Sequence, residues 1–166
     1  MRTIQDSDAV AYHEAAHATI EARLGILRND AIITIGSGSK GEYGSVSFSK
    51  RPCERWSARY KRKFILSLYA GPAASKKLVP GVNLFEEGGE CESDMVLAQH
   101  LMQSCAPGSW ESIHDPVFQS YRERKWRRAV ALVNLNWCAI KAVAEELLKR
   151  QTMTGLEVKA KLAASR

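Results

Sequence analysis

Four residues in the N-terminal segment limit the folds open to this chain more than any others. His13, His17, Ile20 and Leu24 recur at steps of four, three and four, the interval at which side chains stack on one face of an α-helix. Asp6, Ser7 and Asp8 offer N-cap oxygens ahead of that stripe, and Gly25 stands where a C-terminal cap belongs. The segment is therefore expected to be a helix with two histidines on its inward face.

The remaining pattern builds around that helix. Ala31–Ile35 is short and rich in branched apolar residues and reads as a strand. A loop Gly36–Glu42 follows, and Tyr43–Phe48 alternates as a second strand, with Tyr43, Ser45 and Ser47 on one face and Gly44, Val46 and Phe48 on the other. Residues 55–78 are helical in pattern, with an interruption expected at Gly71-Pro72. An acidic, glycine-rich loop spans 82–92, after which Ser93 is placed to cap a helix beginning at Asp94 and carrying Met95, Ala98, Leu101 and Met102 inward. Asp115-Pro116 marks the start of a helix whose stripe, Val130, Val133, Trp137, Ile140, Ala144 and Leu147, runs without a break. Thr154-Gly155-Leu156-Glu157 has capping-box spacing for a short last helix. The fold class expected is mainly α with a small β-sheet, an α+β arrangement in one domain over residues 1–166.

The chemistry sits in His13-Glu14-Ala15-Ala16-His17, an HExxH sequence inside the expected helix. At 100° per residue, positions i and i+4 lie about 40° apart and one turn along, so both imidazoles reach one metal ion. Glu14 projects beside that ion, where it can take a proton from a water and return it to a leaving amine. Three protein ligands and one open position define a catalytic zinc site, whereas four close a structural one. With four histidines in 166 residues, chance supplies on the order of 0.01 such matches, so the motif is informative without being decisive. The third ligand is left open by the residues alone: Asp94, Glu86, Glu87, Glu90, Glu92, His100 and His114 are the candidates. The His₂-carboxylate set suits iron as well as zinc.

Composition narrows the setting. Cys53, Cys91, Cys105 and Cys138 contain no CxxC pair, which argues against a zinc ribbon or a disulfide scaffold and for reduced thiols in a cytoplasmic chain. No apolar run reaches the length of a membrane span, and the N-terminus lacks the apolar core of a signal peptide. The net charge of +6 is concentrated: residues 50–63 hold seven basic side chains against Glu54, and residues 121–128 hold five against Glu123. These runs read as solvated helix faces or a docking surface, with nucleic acid a weaker alternative because no nucleic-acid motif accompanies them.

Val10-Ala11-Tyr12-His13-Glu14-Ala15-Ala16-His17-Ala18 resembles the AYHEAGHA signature helix of the M41 peptidases, the protease domain of FtsH-type AAA+ proteases. The likeness continues in order along the chain. Asp30–Ile35 resembles the family's KVTIIPRG strand and Glu42–Ser45 its ALGYT segment. Leu68–Leu78 is similar to LAGRAAEEL, and Ser93–Ala98 to NDLEQAT. Val143–Leu148 with Thr154–Val158 resembles the C-terminal ALLE…LDGEEI run. The resemblance implies zinc held by His13, His17 and Asp94, with Glu14 as the general base. A peptide substrate is expected to lie extended along the strand edge near Tyr43–Phe48, against Tyr43, Gly44, Ser45 and Val46.

The chain departs from the family in lacking a AAA+ module, a Walker A sequence and a membrane segment. Ala16 replaces a glycine, Pro72 enters a helix, Ser75 and Lys76 replace paired acids, and Gly36-Ser37-Gly38 replaces PRG. The expected function is a zinc-dependent endopeptidase acting on peptides or unfolded segments, alone, as a homo-oligomer, or beside a separate ATPase. The alternative is a catalytically weak zinc-binding module that docks on a separate ATPase, on its own copies or on nucleic acid. A third reading, a nucleic-acid binder with an accidental HExxH, requires salt-dependent binding and no metal.

Overall fold

The computed structural model describes residues 6–38, 41–46, 56–81 and 90–164. Its elements run α1 (Asp6–Leu24), β1 (Ile32–Gly38), β2 (Gly41–Val46), α2 (Ala58–Leu78), α3 (Glu90–Gln103), α4 (Pro116–Leu135), α5 (Trp137–Arg150), β3 (Thr152–Thr154) and α6 (Gly155–Ala164). The chain is mainly α with a small antiparallel sheet. Among the described residues no helix is long and apolar enough to cross a membrane.

The first helix ends at Gly25, whose φ of 70° is the left-handed cap its position called for. It is more deeply placed than a single inward stripe requires. From His13 to Glu21 every residue is buried, because α1 packs on α2 and α5 and lies against β1, β2 and α6. Ala11, Ala15, Ala16 and Ala18 have no exposed surface, and these small side chains let neighbours approach on all sides. Glu14 and His17 are thus interior residues, not members of a wetted face.

The sheet has the order β2-β1-β3. β1 and β2 pair antiparallel from Ile33↔Val46 to Gly38↔Gly41. β1 therefore runs past the expected Ile35 to Gly38 and β2 begins at Gly41, before the expected Tyr43, because backbone pairing recruits residues read as loop. Ser47 and Phe48 lie outside the described residues. β3 went unread; at three residues it is too short to show an alternation, and it adds to β1 through Ile32↔Thr154 and Thr34↔Thr152. Thr154 and Glu157 form the capping box of α6: the Thr154 N–H donates to Glu157 Oε2 at 2.7 Å, and the Glu157 N–H to Thr154 Oγ1 at 3.3 Å.

Three boundaries correct the sequence reading. α2 is one helix through Gly71-Pro72. Proline removes one helical hydrogen bond and costs about 3 kcal/mol in a free helix, but Phe64 through Ser75 are all buried here, and packing outweighs that loss. α3 begins at Glu90, a turn earlier than expected, so Ser93 is not its cap and Asp94 lies inside the helix. The stripe read as one long helix is two, α4 and α5, separated at Asn136. The Asn136 side chain donates to the Leu132 carbonyl at 2.8 Å and accepts from Arg23 Nε at 3.0 Å. It thereby competes with backbone pairing at the junction. Val133, Ile140, Ala144 and Leu147 nevertheless enter one core, which is why their spacing looked continuous.

That core joins α1, the sheet, α5, α6 and Ala70–Ala74 of α2, while Phe64–Tyr69 of α2 pack in a second core with α3 and α4. α2 belongs to both, and its middle turns face the histidines of α1.

Candidate metal centre

Three side chains from two helices converge on one point. His13 Nε2 and His17 Nε2 are 3.0 Å apart, and each lies 2.9 Å from Asp94 Oδ2. Ligands about 2.0–2.2 Å from a tetrahedral ion stand about 3.3 Å from one another, close to this triangle. Both histidines are buried, and the Asp94 side chain is 15% exposed. The cluster is thus shut off from water except on the Asp94 side. Among the described residues these three form the one such cluster of potential ligands.

The far side of each imidazole is fixed. His17 Nδ1 lies 2.8 Å from the Ser67 carbonyl, which can only accept, so Nδ1 carries a proton and donates. In neutral His17 the lone pair is then on Nε2, aimed at Asp94 and His13. His13 Nδ1 lies 3.0 Å from Ser75 Oγ. The Ser67 hydroxyl in turn donates to the buried Glu21 carboxyl at 2.8 Å. Partners of this kind orient imidazoles toward a metal and set their tautomer.

The electrostatics call for positive charge at the centre of the triangle. Burial disfavours the His17 imidazolium, yet the Asp94 carboxylate, its hydrogen bond, Glu14 and the Ser67 carbonyl outweigh it and hold the pKa up at about 10. Burial, reinforced by His17, drives His13 below its usual value against the pull of Asp94. Burial alone would raise the Asp94 carboxyl, but the His17 charge and hydrogen bonds from both imidazoles hold it well below the carboxylate range. Two nitrogens and a carboxylate oxygen so arranged fit one divalent cation in place of a proton.

Two glycines keep the space open. A Cβ on Gly71 would stand 2.4 Å from His17 Nε2 and 2.6 Å from His13 Nε2. It would occupy the space beside the two ring nitrogens, which glycine leaves open. A Cβ on Gly44 would stand 2.5 Å from Glu14 Cγ and 2.7 Å from its Oε1. Strand β2 therefore lies directly on Glu14, which is 6% exposed.

Of the residues singled out in the sequence, His13, His17 and Asp94 come together, with Glu14 next to them on α1 under β2. Tyr43, Gly44, Ser45 and Val46 all lie on β2, where Ser45 is exposed and Val46 buried. His100 and His114 are exposed, and neither they nor Glu92 join the cluster. Glu90 opens α3, and Glu86 and Glu87 lie outside the described residues. Sequence reasoning missed Ser67, Glu21 and the role of Gly71. A signal for Gly71 existed, since a lone glycine among Ala70, Ala73 and Ala74 marks close approach as readily as a break. Compared with models of known protein families and with curated proteins, the chain matches none.

Proposed function

We propose that this chain is a zinc-dependent endopeptidase similar to the M41 peptidases, hydrolysing peptides or unfolded segments. The observation that carries the reading is the convergence of His13 Nε2, His17 Nε2 and Asp94 Oδ2 on a point that Gly71 leaves open. Zinc held there would supply a Lewis acid, polarising the scissile carbonyl and acidifying water.

The chain's own residues do the rest. Glu14, buried beside the ligands, takes the proton of the attacking water and delivers it to the departing amine. The outer edge of β2 offers backbone groups to an extended peptide, and Gly44 brings that edge against Glu14. Ser67 and Ser75 hold the imidazoles so that the ligands need no reorganisation.

The test is metal content and hydrolysis together. The full chain should bind zinc near one equivalent, His17→Ala and Asp94→Ala should lose it, and Glu14→Gln should keep it while losing peptide cleavage. Zinc binding without any Glu14-dependent cleavage would favour the docking module over the peptidase, and absence of binding after incubation with excess zinc would overturn both.

A further inference from the structure

The two basic runs of the sequence meet in space. Several of their members are already engaged: Lys61 Nζ donates to Ser104 Oγ, Lys63 Nζ to the Leu24 carbonyl, and Arg127 pairs with Glu123. Of the other described members, Arg62 of α2 and Arg124, Lys125 and Arg128 of α4 lie together, and among the described residues none of these four has a carboxylate partner. They gather around Tyr121. Lys125 Nζ lies 5.3 Å from the centre of the Tyr121 ring, and Arg62 stands beside the Tyr121 hydroxyl, as does Cys105 just past α3.

Arg62, Arg124 and Arg128 are exposed, but the face differs from an ordinary solvated one at its centre. Lys125 is half-buried, and its burial together with Arg128, Arg62 and Arg124 lowers its pKa. Tyr121 is 6% exposed, and its hydroxyl is sealed from water between Arg62 and Cys105, with no hydrogen bond of good geometry. Guanidinium and ammonium only donate, and among the described residues no carboxylate accepts from them. The missing part is an acceptor bearing negative charge.

We propose that the junction of α2 and α4 is a binding site for a phosphate group, held by Arg62, Lys125 and Arg128 and completed by the Tyr121 hydroxyl. Forked guanidiniums match phosphate oxygens, and several unpaired cations suit a dianion better than a single carboxylate. Arg62 and Lys125 are long, flexible side chains, and the anion reaches the sealed hydroxyl as they change rotamer. The site shares no residue with the metal cluster.

Calorimetric titration of the full chain at low salt tests this with inorganic phosphate, pyrophosphate, a single-stranded oligonucleotide and a polyglutamate peptide. One-to-one binding of phosphate or pyrophosphate, weakened at least fivefold by Tyr121→Phe and at least tenfold by Arg62→Gln with Lys125→Gln, is the expected result and identifies a free phosphate. Binding of the oligonucleotide alone with the same sensitivity supports a phosphate carried on a polymer. Lys149→Ala, on another surface, should leave either affinity unchanged. Binding insensitive to Tyr121→Phe and to the double variant, no binding to any phosphate probe, or tighter binding of polyglutamate than of pyrophosphate overturns the proposal. Tyr121→Phe removes only the hydroxyl oxygen, which protects the test from a folding failure.

Discussion

The carbonyl of Ser67 accepts the Nδ1–H of His17 at 2.8 Å while the hydroxyl of the same serine donates to Glu21. One residue of α2 thus clamps α1 at positions one turn apart, and both clamps lie behind the imidazole that faces Asp94. Helix–helix packing and ligand orientation are the same contact.

Glu21 should make stability fall as pH rises. Burial, opposed by Ser67 and His17, raises its carboxyl to about 7 from an ordinary 4.5. The folded chain then holds a proton that the unfolded chain has lost between those values. Its contribution is complete below pH 4.5 and is lost as pH rises through 7, a decline on the order of 1–3 kcal/mol. Thermal melts of metal-free protein from pH 4.5 to 8 should show a shallower decline in Glu21→Gln than in the wild type. Parallel curves would contradict the assignment.

Gly71→Ala should abolish metal binding while leaving the helices in place. The added methyl would occupy the space between His13 Nε2 and His17 Nε2, and alanine favours a helix interior over glycine by about 1 kcal/mol. Metal analysis should give near-zero zinc alongside an unchanged far-ultraviolet circular dichroism spectrum. Full zinc occupancy would mean that the ion sits elsewhere.

Gly44→Ala is expected to separate chemistry from ligation. Its methyl would press on Glu14 and on Val10 Cγ1, 2.8 Å away, and not on the histidines. Zinc content should stay near the wild-type value while peptide cleavage drops about 100-fold, the cost of displacing a catalytic group by an ångström. Equal loss of both would assign Gly44 to the fold alone.

Gly155→Ala should destabilise the chain without touching the site. A Cβ there would stand 1.8 Å from the Arg28 carbonyl oxygen, and a backbone atom cannot swing away as a side chain does. The expected loss is about 2–3 kcal/mol, roughly 5–10 °C in Tm. A melting point within 2 °C of wild type would count against the tight crossing of α6 and the 25–31 turn.

Local signals were legible where the chain states its own intent. The α1 stripe, Gly25, the Asp115-Pro116 start, which accepts from the Val117 N–H at 2.7 Å, and the Thr154–Glu157 box all depend on neighbours in sequence. Asp94 entered the ligand set through a resemblance, since nothing within α3 says which helix it faces. Pro72 and Asn136 were misread for opposite reasons. Packing carried a helix through a residue that breaks free helices, and a side-chain hydrogen bond ended one where the apolar spacing ran on. Ser67 and Glu21 were illegible because their meaning lies in a partner 46 residues away.

The pairing of Ile33 with Met153 joins strands 120 residues apart in sequence. In the order of synthesis His13, Glu14 and His17 precede Asp94, and Asp94 precedes β3. The hairpin that lies on Glu14 gains β3 only once residues 152–154 have been made. Non-local pairing of this kind forms slowly. The three residues of the His13–His17–Asp94 cluster are therefore synthesised before the sheet beside Glu14 has its third strand.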